Sequence, residues 1–510
     1  MPVGTYEQYY NRLLKMKPNI YLGKEVVDRS DSRLAGGLYC MKQTFDCAYD
    51  ERYRDVCTAT SHLTGETINR FTHIHQSLDD LLKKQEMTKL LSHRVGGCIQ
   101  RCMGIDALNA LSVVTYEMDA ELGTDYYQSF LKYLGWVQEN DIVANCAQTD
   151  VKGNRTKRPH EQEDPDMYVR IIETRPDGIV VRGAKACNSA APYVDEIIVL
   201  PTRFMGQKDN AYAVSFAVPA DWPGVKLACI HGLRPRRGRI QAPVARVGDV
   251  ESLTIFDDVF VPRERVFMDG LADSRVTPYA GFLALMFAHF HRHSYTGCKP
   301  AASEVLASQA ALVAEYNGIE KEDHVREKIC HIIGIAELVY AAGMASAYRA
   351  ERSPSGTMIP DEILTNAGRK LAGEEIYNEA RILADLAGGL IATLPLEDTF
   401  YAGDNVGELL HKYIMRNPKI PAENVHRCFR MIQDQIVSEF GSAQIVAGLH
   451  GGGSPQMEMV AMMSRYDLEE LKGIAKYLAG IEDDIPIYRR KTVTPRKVLE
   501  KYRQMQGQNK

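Results

Sequence analysis

Hydrophobic residues recur at helical spacing in 81–91 (LLKKQEMTKLL) and from Asp106 to Met118. Residues 1–140 therefore read as a mainly helical region. From about 141 the pattern changes. MYVRIIET and IVVRGAK are β-branched runs joined by Pro176-Asp177-Gly178, a hairpin signal. DEIIVLPT, AYAVSFAVPAD, VKLACI and LTIFDDVFVP follow, each bounded by turn residues. They predict a central antiparallel β domain over 141–275. Helical texture returns from 276, with long helices predicted near 302–316, 323–350, 362–387, 424–447 and 465–481. The order is an N-terminal helical domain (1–140), a β domain (141–275) and a C-terminal helical bundle (276–510), an α+β arrangement. It excludes a barrel or doubly wound sheet, which would alternate strand and helix throughout. No G-x-G-x-x-G follows a strand, and no P-loop is present.

Composition narrows the class. The chain has 510 residues and is 45% hydrophobic, which excludes wholesale disorder. A net charge of -5 argues against a nucleic-acid partner. The N-terminus has no apolar core of a secretory signal. The apolar stretch at 281–290 is too short to span a membrane, so no membrane partner is expected. Eleven irregularly spaced cysteines point to the reducing cytoplasm and make a disulfide framework improbable.

Some of those cysteines sit in chemically suggestive places. Cys98 and Cys102 lie in SHRVGGCIQRCMG. Spacing i, i+4 would put both sulfurs on one helix face. Zinc or an iron–sulfur cluster would use such a pair, and so would an ordinary core. A second segment, HFHRHSYTGCK, carries His289, His291, His293, Tyr295 and Cys298. At about 100° per residue, His291 lies roughly 20° from the direction of Cys298, whereas His289 and His293 point away. The two are separated by roughly 10 Å along a straight helix. That is too far for one ion but within reach of a multi-iron cluster, particularly if Gly297 bends the backbone. Three thiolates and one weaker imidazole would leave one iron exchangeable, which suits Lewis-acid chemistry. A basic run, RPRRGR at 234–239, could meet phosphates or simply be a solvated loop.

With these motifs in hand, the sequence resembles the 4-hydroxybutyryl-CoA dehydratase and vinylacetyl-CoA isomerase family of the larger 4-hydroxyphenylacetate 3-hydroxylase group. The likeness runs over nearly the whole chain. Its most specific part is the set Cys98, Cys102, His291 and Cys298, which the oxygen-using hydroxylases of the group are not expected to carry. Matching stretches also lie at 149–168, 180–202, 255–262, 384–390 and 449–456. The resemblance implies an acyl-CoA dehydrogenase-like fold, FAD, one 4Fe-4S cluster and a homotetramer built as a dimer of dimers. It places Thr149, Asp150, Lys152, Asn154, Arg155 and Ser189 along the flavin. Gly388 and Gly389 would meet the flavin of a neighbouring subunit. His291, Tyr295 and Glu251 would be catalytic, with His291 also a cluster ligand.

The implied reaction is a radical dehydration of a 4-hydroxyacyl-CoA. In it the flavin accepts an electron and the exchangeable iron takes the hydroxyl. Alternatives are double-bond isomerisation of a vinylacetyl-CoA-type substrate, a flavin-dependent aromatic monooxygenase, and a non-catalytic electron carrier. The sequence departs from the family at Ala447, where a second glutamate is expected three residues before His450. It departs again at Cys187-Asn188, where the family has His-Gln.

Overall fold

The structure is a computed structural model that describes residues 3–230, 237–465 and 468–486. Residues 234–236 of the basic run at 234–239 and the polar tail from 487 lie outside the described residues.

Helix and sheet are both present along the chain. The hairpin forms as predicted. Arg170–Arg175 and Gly178–Ser189 pair antiparallel, with Arg175 opposite Gly178 across Pro176-Asp177. These strands belong to a six-stranded sheet whose other members are Glu251–Pro262, Val225–Cys229, Ile20–Leu22 and Glu25–Val27. A second, four-stranded sheet runs in the order Val266–Asp269, Val214–Pro219, Glu196–Val199, Ala144–Ala147. One apolar core fills the space between the sheets, with Val181, Phe216 and Phe256 fully buried in it. Another packs the four-stranded sheet against the helices Cys102–Leu122, Tyr126–Glu139 and Thr277–Asn317.

Two features correct the sequence reading. The β region is not wholly antiparallel, because Ile20–Leu22 pairs parallel with Val225–Cys229 and Ala144–Ala147 pairs parallel with Glu196–Val199. The first of these pairs also draws residues 20–27 out of the helical N-terminal region and into the main sheet. Short three-residue strands carry too little periodicity to be read locally.

The C-terminal half is built on three long helices, Thr277–Asn317, Asp323–Tyr348 and Glu362–Ala387. The first runs as one continuous helix through Gly297 and Pro300. Gly297 serves close approach. A Cβ there would fall 2.1 Å from Thr88 Oγ1 and 2.2 Å from the Gln85 carbonyl. Pro300 has no N–H, which leaves the Thr296 carbonyl without its helical donor. Gln85 Nε2 donates to that carbonyl at 3.0 Å. The helix Leu78–Val95 thus packs against the long helix and also repairs it. Asp323–Tyr348 is, among the described residues, the one helix long and apolar enough to cross a membrane by composition. One of its faces is buried in the bundle through Val325, Ile332, Ala336 and Val339.

Candidate functional site

The helix Leu78–Val95 stops at Gly96, which takes φ 68° as its C-cap. The next helix starts at Cys102. Cys98 therefore sits in a loop, and the predicted shared helix face of Cys98 and Cys102 does not exist. The pair of glycines at 96–97 was the stop signal. The loop is held by two bonds to other elements and one within itself. Cys98 N donates to Gln444 Oε1 at 3.3 Å, Gln100 N donates to Cys98 Sγ at 3.4 Å, and Gln100 Nε2 donates to the Gly248 carbonyl at 2.9 Å.

The long helix Thr277–Asn317 brings His291, Tyr295 and Cys298 to this loop. Burial pushes the thiols of Cys98, Cys102 and Cys298 up, and neighbouring thiols of the set push Cys98 and Cys102 further. On Cys298 the ammonium of Lys299 and the guanidinium of Arg369 work the other way. The Tyr295 phenol is also pushed well up by burial, and it feels all three cysteines. Its ring meets His291 edge-on at 5.0 Å and carries the Arg369 guanidinium 4.6 Å from its centroid. Thiols held neutral in this way must release protons to bind a metal.

Which metal would fit is set by the spread of the donors. Cys102, Asp106 and His291 offer ligand atoms within 4.8 Å of one another. Cys98 and Cys298 stand outside that tight group. A single zinc ion holds its ligands at about 2.0–2.3 Å, hence within ~4 Å of one another. The donor set is thus a tight trio of Cys102, Asp106 and His291 with the thiols of Cys98 and Cys298 in its field.

Asp106 was missed by sequence reasoning. Its carboxylate is fully buried, with Lys84 Nζ at 2.5 Å from one oxygen and His291 Nδ1 at 2.8 Å from the other. Ser294 Oγ bridges both at 3.0 and 3.1 Å. Burial works to raise this carboxyl, but Lys84 and His291 overcome it and hold it below its ordinary value. A lone carboxylate in the apolar run IDALNALSVV was the available signal; Lys84 carried none.

The loop 449–453 closes over this group. Arg369 donates to the carbonyls of Leu449 and Gly451, and Arg292 to that of Gly452. A Cβ at Gly451 would fall 1.6 Å from Tyr295 Oη, so the backbone lies directly on the phenol. Ala447 lies on the helix Glu439–His450 that leads into this loop, and its carbonyl accepts from Gly451 N at 2.8 Å.

A second group of predicted residues gathers along the end of the strand Gly178–Ser189. Glu251 stands opposite Ser189 across the sheet, and Ser189 Oγ donates to Glu251 Oε1 at 2.5 Å. The other Glu251 oxygen is buried without a partner. Burial raises the Glu251 carboxyl, with Ser189 pulling the other way. Cys187 lies in the field of both Glu251 and Lys152. The Lys152 ammonium is half-buried and lowered, first by burial and then by Arg155. Thr149 joins the strand through its carbonyl, which accepts from Ala186 N at 2.8 Å.

Asp150 is buried beside this strand. Its carboxylate is taken up by Lys185 at 2.9 Å, Val169 N at 2.9 Å and Thr202 Oγ1 at 2.5 Å, so it braces the loop. Asn154 accepts from Thr156 within its own turn, and Arg155 is exposed. Gly388 and Gly389 follow the helix Glu362–Ala387, where an added Cβ would meet open space. Among the described residues, no contact joins them to the Ser189 group. Between the two groups stands Asp249, also unforeseen. It is buried, raised by burial and by Glu251, and it lies in the field of Cys98.

The 4-hydroxyphenylacetate 3-hydroxylase N-terminal and C-terminal family models match residues 5–268 and 280–480. A 4-hydroxybutyryl-CoA dehydratase/vinylacetyl-CoA-Δ-isomerase from Clostridium aminobutyricum is 35% identical over 492 residues, covering 94% of this chain and 99% of the relative. The chain belongs to the 4-hydroxybutyryl-CoA dehydratase family, within the 4-hydroxyphenylacetate 3-hydroxylase group. It is a dehydratase-like enzyme of that family. An oxygen-tolerant archaeal member from N. maritimus superposes with a TM-score of 0.90 at 33% identity, covering 97% of this chain and 99% of that one. The oxygenase component of a 4-hydroxyphenylacetate 3-monooxygenase, complexed with FAD, gives 0.84 at 26% identity over 94% of this chain and 98% of its own. The mixed helix-and-sheet fold is thus common to the dehydratase family and the monooxygenases. All eleven cysteines are free.

Proposed function

We propose that this chain is an FAD- and 4Fe-4S-dependent dehydratase acting on a 4-hydroxyacyl-CoA-type thioester by a radical route. The observation that carries the reading is the meeting of three thiols, one imidazole and one phenol at a single buried place. A monooxygenase that works with flavin alone has no need of that donor set, and a bare electron carrier has no need of Tyr295 and Glu251 beside it. FAD is the cofactor of the related oxygenase structure.

Cys98, Cys102, Cys298 and His291 would hold the cluster. Thr149, Lys152, Ser189 and Glu251 would line the flavin, with Asn154 and Arg155 at its outer edge. When bound, the two groups supply a one-electron acceptor and a Lewis-acidic iron. Imidazole is the side chain suited to take and return a proton near neutral pH, which would give His291, once displaced from its place as a ligand, the substrate α-proton. Tyr295 Oη, beneath the glycine loop, would orient the departing hydroxyl. Glu251, with one oxygen on Ser189 and the other unpartnered, would carry a proton on the flavin side.

Exposed apolar side chains on the C-terminal helices, among them Val446, Met457, Val460 and Met463, support a homotetramer of the acyl-CoA dehydrogenase-like kind. Gly388 and Gly389 would then serve a neighbour's flavin. The free thiols support work in the reducing cytoplasm.

Ala447 favours a second reading, isomerisation of a vinylacetyl-CoA-type thioester, which needs no hydroxyl departure. The deciding experiment is anaerobic purification followed by iron, sulfide and flavin analysis and a thioester screen. About four iron per chain and turnover of a hydroxyacyl- or vinylacetyl-CoA are expected. Iron-free protein that leaves all such thioesters untouched sinks the reading. If the lost carboxylate matters for hydroxyl departure, Ala447→Glu raises dehydration, by about 10²–10⁴-fold at most.

A further inference from the structure

The ion pair between Lys84 and Asp106 lies wholly out of solvent, with neither side chain exposed. Such pairs are commonly no more stabilising than a well-packed apolar substitute. The geometry around this one gives it another use. Asp106 Oδ1 meets Lys84 Nζ at 2.5 Å, Oδ2 meets His291 Nδ1 at 2.8 Å, and Ser294 Oγ bridges both oxygens. Lys84 is itself fixed by donating to the Phe290 carbonyl at 2.9 Å, one residue before His291.

A carboxylate paired with an ammonium can only accept hydrogen bonds. The neutral imidazole has one N–H, and Nδ1 must carry it to satisfy Asp106. The lone pair is then left on Nε2. The ring is held flat by Phe287, stacked at 5.4 Å, and edge-on by Tyr295. Its Cδ2, bonded to Nε2, faces Gly452, where an added Cβ would lie 3.4 Å away.

We propose that Asp106, fixed by Lys84, is a positioning residue that locks His291 in the Nδ1–H tautomer and presents Nε2 to the iron–sulfur site. The proposal rests on the reading of His291 as a cluster ligand. It assigns Asp106 to hold the ring rather than to bind iron, because both of its oxygens are already engaged. Losing such a partner typically weakens metal binding by about 10–100-fold.

The test uses the full-length chain. The double variant Lys84→Met/Asp106→Leu removes both charges together, so neither is buried alone. Ser294→Ala keeps the Asp106–His291 bond and serves as control. The first readout is the imidazole ¹⁵N spectrum of iron-free protein, with His291 assigned by its loss in His291→Gln. The second is iron content after anaerobic reconstitution.

Wild type and Ser294→Ala should show Nδ1–H with an unprotonated Nε2. The double variant should move to Nε2–H, and its iron should fall from about four to about three per chain as the histidine-held iron is lost. Wild-type His291 protonated on Nε2 overturns the proposal, even if the double variant does not fold. So does a double variant that keeps the wild-type tautomer or its full iron. Wild-type protein that binds no iron would instead defeat the proposed function, and the nitrogen spectrum would still decide the tautomer.

Discussion

Asp106 and Glu251 are both buried carboxyls beside a group proposed to do chemistry, and their surroundings push them in opposite directions. Asp106 has an ammonium, an imidazole and a hydroxyl around it, and these overcome the cost of burial. Glu251 has a single hydroxyl and a neighbouring carboxyl, Asp249, so burial prevails and its carboxyl rises. The first is a fixed anion that holds its neighbours in place. The second has an unpartnered oxygen and a carboxyl that burial disposes to hold a proton. Position along the chain does not distinguish the two roles. The charges brought in from other elements do.

The largest effect expected concerns the thiols. Cys298→Ala should abolish stable cluster binding, read as loss of nearly all iron and of the visible iron–sulfur absorbance under anaerobic conditions. Full retention of iron would remove Cys298 from the ligand set. Next comes the mobile proton. Glu251→Gln keeps the Ser189 contact but removes the exchangeable proton, so turnover of the active thioester should fall about 10²–10⁴-fold with iron unchanged. An unaltered rate would make Glu251 structural and erase the contrast with Asp106.

The fixed anion is tested through stability. Lys84→Met leaves Asp106 buried and unpaired, which should cost about 3–5 kcal/mol in denaturant unfolding. A loss under ~1 kcal/mol would mean that water or another group compensates Asp106. The smallest effect belongs to a third buried carboxyl. Burial raises Glu379 from 4.5 to about 7, with Ser303 and Lys299 opposing. The folded state therefore binds this proton more tightly than the unfolded state. Its contribution is complete below about pH 4.5 and is lost as pH rises towards 7, by up to about 3 kcal/mol. Unfolding midpoints measured across that window should decline less steeply in Glu379→Gln than in wild type.

Much of the architecture is written locally. The period-2 runs around Pro176-Asp177 could form little except a hairpin, and the pattern at 362–387 coincides with the helix Glu362–Ala387. Residue chemistry likewise marked out Cys98, Cys102, His291, Tyr295 and Cys298 before any geometry was known. Local pattern misled where one backbone state decided the matter. Helical spacing joined Cys98 to Cys102, yet Gly96 turns left-handed and ends the preceding helix before Cys98, and the next helix begins only at Cys102.

What only the tertiary structure decided is pairing over distance. Ile20–Leu22 finds its parallel partner some two hundred residues along the chain, and nothing within three residues encodes that choice. Lys84, Asp106 and His291 come from three helices, so their charges meet only after those helices pack. Spacing and residue type, which act over a turn or two of chain, determined the elements and the candidate ligands. Burial and long-range electrostatics, which exist only in the folded core, determined which carboxyl is held down as an anion and which is pushed up.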